Sequence, residues 1–329
     1  MKNIHIHAFI SIKGGVGKSA LSVLCGHLLA QRGRRCVVID ADMTGTSLAD
    51  GLQLCAPKAN LLASGGVDLT IPPRGEEYWS SKETDELRDR RRDSRWKHQP
   101  PPPPYLNDAL TFTREEGAPD CRIDAMLWRP DRDRDTGIYF LPSSPLPQDL
   151  ALAMDWLYEQ EHWDFGIRLA WILIAICQQR SDLTDIVIDL PPTFLGFTQA
   201  TLGMLKVLEG VSGTAPAHGF PKPADYGLQF HAHPFLVTTI DRNALLPSVE
   251  VLADAVSNFR NFVLLLNRGG RPEIEDFLIK RFGQQVEALE LNKKLEVIDE
   301  YPLILGRIFR DRKLSITAEI EKASRAFRI

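Results

Sequence analysis

Residues 11–19 read Ser-Ile-Lys-Gly-Gly-Val-Gly-Lys-Ser, directly after the apolar run Ile4–Ile10. Glycines at this density let consecutive backbone N–H groups converge on the oxygens of a phosphate. Lys18 supplies a point charge for β- and γ-phosphates, and the Ser19 hydroxyl is the type of hard oxygen ligand that Mg²⁺ accepts. A helix beginning at Lys18 would aim its positive end at the same place. The segment from Gly14, Gly15, Val16 and Gly17 through Lys18, Ser19 and Ala20 is therefore read as a phosphate cradle, with Lys13 an additional cation at its mouth.

Three more groups of chemistry-bearing residues stand at the ends of apolar runs. Cys36–Ile39 ends in Asp40-Ala41-Asp42, where a carboxylate could orient a water. Asp185-Ile-Val-Ile-Asp189 is a buried-strand pattern whose terminal carboxylate emerges at the carboxyl edge, the side on which open α/β sheets bind ligands. Val263-Leu-Leu-Leu-Asn267-Arg268 ends in an amide that offers one donor and one acceptor.

The elements that must position these groups follow from periodicity. Strands are expected at Ile4–Ile10, Cys36–Ile39, Ile138–Leu141, Asp185–Asp189, Phe235–Thr239, Phe262–Leu266 and Leu295–Ile298. Helices are expected at Lys18–Arg32, stopped by Gly33, and at Leu150–Glu161 and Gly166–Arg180. This alternation predicts an α/β fold with a mostly parallel central sheet and helices on both faces, in one domain over residues 1–329.

Residues 57–136 break the pattern and read as a long irregular insertion. It holds Arg90-Arg91-Arg92, five consecutive prolines at 100–104 and the mixed-charge run Arg129–Asp135. Polyproline cannot join a ladder, and the composition offers little apolar surface, so a solvated, partly disordered stretch is expected. Tyr78, Trp79, Trp96, Trp128 and Tyr139 argue instead for a module that binds a protein partner. A second irregular stretch, Gly210–Pro234, contains His231 and His233, which lack nearby Cys or acidic partners and read as part of an ordinary loop.

Composition narrows the classes. At 329 residues, with 44% apolar and 25% charged residues, the chain has the profile of a soluble globular protein. A net charge of −4 excludes a surface built throughout for nucleic acid. Cys25, Cys36, Cys55, Cys121 and Cys177 are scattered and form no C-x-x-C pair, so they read as reduced thiols, and the cytoplasm is the expected compartment.

The run Lys13-Gly-Gly-Val-Gly-Lys-Ser19 resembles the deviant Walker A loop of the ParA/MinD family of P-loop ATPases, in the SIMIBI class; Ile12 stands where the general motif has glycine. Asp189-Leu-Pro-Pro is similar to the second switch of the Mrp branch, although Thr193-Phe194 replaces the usual Gly-Thr. The resemblance implies ATP and Mg²⁺ as ligands. Ser19, Asp42 and Asp189 would attend the metal, with Asp42 also positioning the attacking water. Asn267, Arg268 and Pro302 would line the adenine pocket, the last in a segment Val297–Pro302. Lys13 would cross an ATP-dependent homodimer interface to the partner's phosphates, joining Lys18 and Asp42 in hydrolysis.

Two other classes stay open. A GTP-regulated targeting factor would read guanine with Thr-Lys-x-Asp, whereas Thr238-Thr239-Ile240-Asp241 lacks the lysine. A nucleotide-binding scaffold would act through the insertion. Relatives implied by the resemblance also bind DNA or membranes. Arg307, Arg310, Arg312, Lys313, Lys322, Arg325 and Arg328 offer a basic surface for non-specific DNA, and Ile316, Ile320, Ala323 and Phe327 have the spacing of an amphipathic tail.

Overall fold

The computed structural model describes residues 1–43, 48–63, 66–68, 77–93, 101–111, 122–131, 137–159, 162–193, 196–211, 219–239, 241–256, 259, 261–267 and 295–298. The chain opens with β1 (Lys2–Ser11), α1 (Lys18–Gln31) and β2 (Cys36–Asp40). It continues through α2 (Leu48–Gly51), β3 (Leu54–Cys55), β4 (Asn60–Leu61), β5 (Val67–Asp68), α3 (Ser81–Asp93), α4 (Leu106–Thr111) and β6 (Arg129–Pro130). Then come β7 (Ile138–Leu141), α5 (Pro147–Glu159), α6 (His162–Gln179) and β8 (Asp185–Pro192). The last described elements are α7 (Phe197–Glu209), β9 (Leu228–Thr238), α8 (Arg242–Val256), β10 (Val263–Asn267) and β11 (Leu295–Ile298).

Seven strands form one sheet in the order β11-β10-β9-β1-β8-β2-β7, and every pairing in it is parallel. Parallel strands need crossovers, and helices supply them on both faces. One core gathers Ile4, Ile6, Ala8 and Ile10 of β1 with Phe165, Leu169 and Leu173 of α6 and Leu205 of α7. The other sets Phe9 and Val38 against Leu21, Leu24 and Leu28 of α1. Strands buried on both faces read as continuous apolar runs, as Cys36–Ile39 does. Gly26 lets α1 lie close to the sheet: a Cβ there would stand 2.7 Å from Val38 Cγ2 and 3.0 Å from Ile138 Cδ1. Gly33, at φ 74°, ends the helix where the sequence predicts.

Two expectations need correction. The insertion was expected to be solvated, yet its described part is folded against the body. Tyr105, Leu106, Ala109, Leu110 and Trp128 are buried completely or nearly so. Arg91, counted above among solvated charges, is 1% exposed. The buried apolar residues of this segment fall mainly in two short runs, 105–110 and 123–128, which an average over the whole stretch dilutes. Residues 101–104 do stay out of the sheet, but the carbonyls of Pro101 and Pro103 each accept a hydrogen bond from Arg91 Nη1 at 2.8 Å.

The second correction concerns 210–234. The strand begins at Leu228, seven residues before the predicted start at Phe235, so His231 and His233 lie in the sheet opposite His5 and His7. Pro234 had masked it. That proline sits just before Phe235, the first β9 residue paired with β10, so its missing N–H breaks no ladder bond on that side. His5 stacks on His231 at 5.3 Å between ring centroids, and His5 Nδ1 lies 3.1 Å from His233 Nε2.

Candidate nucleotide site

The glycine turn joins the end of β1 to the start of α1. Gly15 and Gly17 adopt φ values of 77° and 86°, a left-handed geometry that a side chain would strain. A Cβ at Gly15 would meet nothing within 4 Å, so the turn has open space over that glycine. Val16, by contrast, is buried and pins the turn to the body. Gly17 caps α1 without a side-chain hydrogen bond, and no acidic residue stands in the first turn. No carboxylate of α1's own first turn competes for its amides, which suits an incoming anion.

Beneath the turn, Lys18 Nζ donates to Asp189 Oδ1 at 2.6 Å, with side chains 6% and 1% exposed. Ser19 also donates a side-chain hydrogen bond to Asp189. Burial pushes the Asp189 carboxyl above the usual carboxylate range, against the opposing pull of Lys18 and Ser19. The register explains the meeting: Asp189 is the β8 residue opposite both Phe9 of β1 and Asp40 of β2. It stands at the carboxyl end of the central strands, where the topology opens a crevice.

Asp40 ends β2, and Asp42 lies two residues beyond it. Asp40 is 1% exposed and holds the following turn together: Oδ2 accepts from Leu48 N and Ser143 Oγ, both at 2.8 Å, and Oδ1 accepts from Asp42 N at 3.2 Å. Burial, and next the charge of Asp189, push its pKa up to about 7. Asp40 thus braces the turn that carries Asp42.

Asn267 lies at the end of β10 and is fully buried. Its Nδ2 donates to the carbonyl of Val16 at 2.8 Å, so this amide braces the glycine turn itself. Lys13 reaches the other way, donating to Asp241 Oδ2 at 2.8 Å, with both side chains about half exposed. Asp241 also accepts from Asn243 N and so caps α8. The structure brings together Gly14, Gly15, Val16, Gly17, Lys18, Ser19, Ala20, Asp42, Asp189 and Asn267, with Lys13 at the rim. Arg268 and Pro302 lie outside the described residues, as do the basic and amphipathic positions from Arg307 onward. Sequence reasoning missed Ser143; the available signal was its place just past an apolar strand.

The donor set fits a hard divalent cation. A hydroxyl and two carboxylates are oxygen ligands, and among the described residues no group of three or more His, Cys, Asp or Glu side chains could hold a metal alone. A metal here would take its remaining ligands from water and phosphate, the habit of Mg²⁺.

A family model for the CobQ/CobB/MinD/ParA nucleotide-binding domain matches residues 7–322. The chain belongs to that family. Within this nucleotide-binding family, the fold matches solved structures of low sequence identity. A plasmid partition protein from Borrelia burgdorferi bound to AMPPNP is 14% identical, with a TM-score of 0.55 over 99% of this chain and 98% of that one. The cell division ATPase MinD of Pyrococcus furiosus is 16% identical, with a TM-score of 0.52 over 98% of each chain. MinD of Pyrococcus horikoshii complexed with Mg-ADP is 15% identical, with a TM-score of 0.51 over 98% of this chain and 96% of that one. No curated protein matches the sequence. Among the described residues, no helix is long and apolar enough to cross a membrane.

Proposed function

We propose that the chain is a Mg²⁺-dependent ATPase that works as a nucleotide-switched homodimer and positions or regulates a partner in the cytoplasm. The observation that carries this reading is the meeting of Lys18, Ser19 and Asp189 under an open glycine turn at the positive end of α1. The family supplies nucleotide binding, and the neighbours crystallised with AMPPNP and with Mg-ADP support adenine and magnesium in particular.

In this reading the turn amides and the α1 terminus hold the phosphates. Lys18 leaves Asp189 for the β/γ-phosphate oxygens as the triphosphate enters. Ser19, Asp42 and Asp189 would hold Mg²⁺, which supplies charge neutralisation at the transferring phosphoryl group. Asp42, presented by the Asp40 bracket, orients the attacking water. Lys13 exchanges Asp241 for phosphate bound by a second copy. Two facing cationic loops repel until polyphosphate lies between them, which makes association depend on nucleotide.

The guanine alternative lacks its lysine, for which Thr239 stands, and the Asp241 carboxylate it would need for base recognition caps α8. The insertion remains the proposed site of a protein partner. Sedimentation velocity with Mg²⁺ and a non-hydrolysable ATP analogue tests the switch: a monomer-to-dimer shift that Lys13→Ala abolishes supports it, and a wild-type chain that stays monomeric at saturating analogue refutes it.

A further inference from the structure

Two adjacent serines in the loop after β7 bond in different directions. Ser143 Oγ donates to Asp40 Oδ2 at 2.8 Å and lies 3.3 Å from the Asp42 carbonyl, inside the candidate site. Ser144 Oγ donates to Asp149 Oδ2 at 2.5 Å, and that same oxygen accepts from Arg91 Nε at 2.8 Å. Arg91 belongs to the insertion. Its guanidinium is wholly engaged, with Nη1 and Nη2 gripping Asp108 at 2.9 and 2.6 Å and Nη1 also meeting the Pro101 and Pro103 carbonyls.

The insertion holds the backbone of this loop as well. Leu106 N donates to the Pro142 carbonyl at 2.9 Å, and Asn107 Oδ1 accepts from Ser144 N at 2.7 Å. The loop reads Pro142-Ser143-Ser144-Pro145, so proline rings flank both serines and limit independent adjustment of either. A side chain on α3, the proline segment and α4 therefore converge on one short rigid loop whose next contact is the bracket of Asp42.

We propose that the insertion is a regulatory arm wired to the Asp40–Asp42 turn through Ser143 and Ser144. A change in the packing of Arg91, Pro101–Pro103 or Asn107 moves that loop and with it the carboxylate at the phosphate end of the site. Ser143 is a positioning residue for Asp42, and Asn107 and Ser144 position Ser143. A partner seated on the insertion would tune turnover more than nucleotide affinity. That consequence rests on the proposed ATPase reading, whereas the wiring does not.

The test begins with the ligand-free full-length chain. Amide hydrogen exchange is followed in peptides covering Asp42 and Leu48, whose N–H groups donate to Asp40. Ser144→Ala and Asn107→Ala are expected to speed exchange there about fivefold, the loss of one typical buried hydrogen bond. Peptides of β9 should be unchanged, which shows that the fold is intact. Unchanged exchange at Asp42 and Leu48, or equal acceleration in β9, overturns the wiring. The second measurement compares ATP hydrolysis with binding of a fluorescent ATP analogue. The same two variants should lower kcat about fivefold with nucleotide affinity kept within twofold. Equal loss in both, or no loss in kcat, refutes regulation through this path. A wild-type chain that binds no nucleotide removes the ATPase reading while the exchange result still decides the wiring.

Discussion

Lys18 Nζ stands 2.6 Å from Asp189 Oδ1, and both side chains are closed off from solvent. Each is the other's buried ion-pair partner. Lys18→Met should strand a buried carboxylate and destabilise the fold by about 3 to 5 kcal/mol. Adding Asp189→Asn should recover most of that loss without restoring nucleotide binding. Chemical denaturation of the two single variants, the double variant and the parent forms the required cycle.

The rim pair behaves differently. Lys13 and Asp241 are about half exposed, so breaking their contact should leave stability nearly unchanged, and added salt should shrink even that small effect. Lys13→Ala is expected to lower ATP turnover at least about tenfold all the same, because its proposed partner is phosphate in a second copy. Asp241→Asn should leave turnover within about twofold. Steady-state rates beside thermal melts at low and high salt would show the contrast.

Asp42→Asn keeps the bracket, since its backbone amide still donates to Asp40 Oδ1. Loss of the carboxylate should reduce hydrolysis by about a hundredfold and weaken Mg²⁺-dependent ATP binding far less. An equal fall in affinity would mean that Asp42 binds nucleotide and has no special part in orienting water.

The pH dependence of stability has a clear sign at Asp185. Burial pushes this carboxyl up, but hydrogen bonds from His7 and Thr184 and the charges of His7 and Arg34 outweigh it and hold the pKa below the usual range. A depressed folded pKa gives stability that is present above the unfolded value near 4 and lost as pH falls through the folded one. Asp185→Asn should thus cost on the order of 2 kcal/mol at pH 7, with the gap to the parent closing below about pH 4. Denaturation midpoints between pH 7 and pH 3 give the comparison.

Much of the sheet was legible because each central strand is a continuous apolar run between turn residues, and each candidate residue stands at the end of one. The first half of β9 is hidden in a stretch rich in Gly, Pro and His, and Pro234 lies just ahead of the pairing with β10. The packing of the insertion is hidden as well. Arg91 looks solvated beside Arg90 and Arg92, and nothing local reveals that Asp108, Asp149 and two proline carbonyls wait for it. Asn267 was placed correctly at a strand end, but its bond to the Val16 carbonyl joins residues 251 apart in sequence. Ser143 carries no motif at all, and its meaning appears only when β7 lies beside β2.

The most direct test is a calorimetric titration of ATP into the full-length chain with Mg²⁺, run beside Lys18→Met and repeated with GTP. The account predicts Mg²⁺-dependent ATP binding by the wild type, at least about tenfold weaker binding of GTP, and none by the variant. Wild-type protein that takes up no heat with ATP, or a Lys18→Met protein that binds it equally well, would contradict the claim that the turn at Gly14–Lys18 grips a triphosphate.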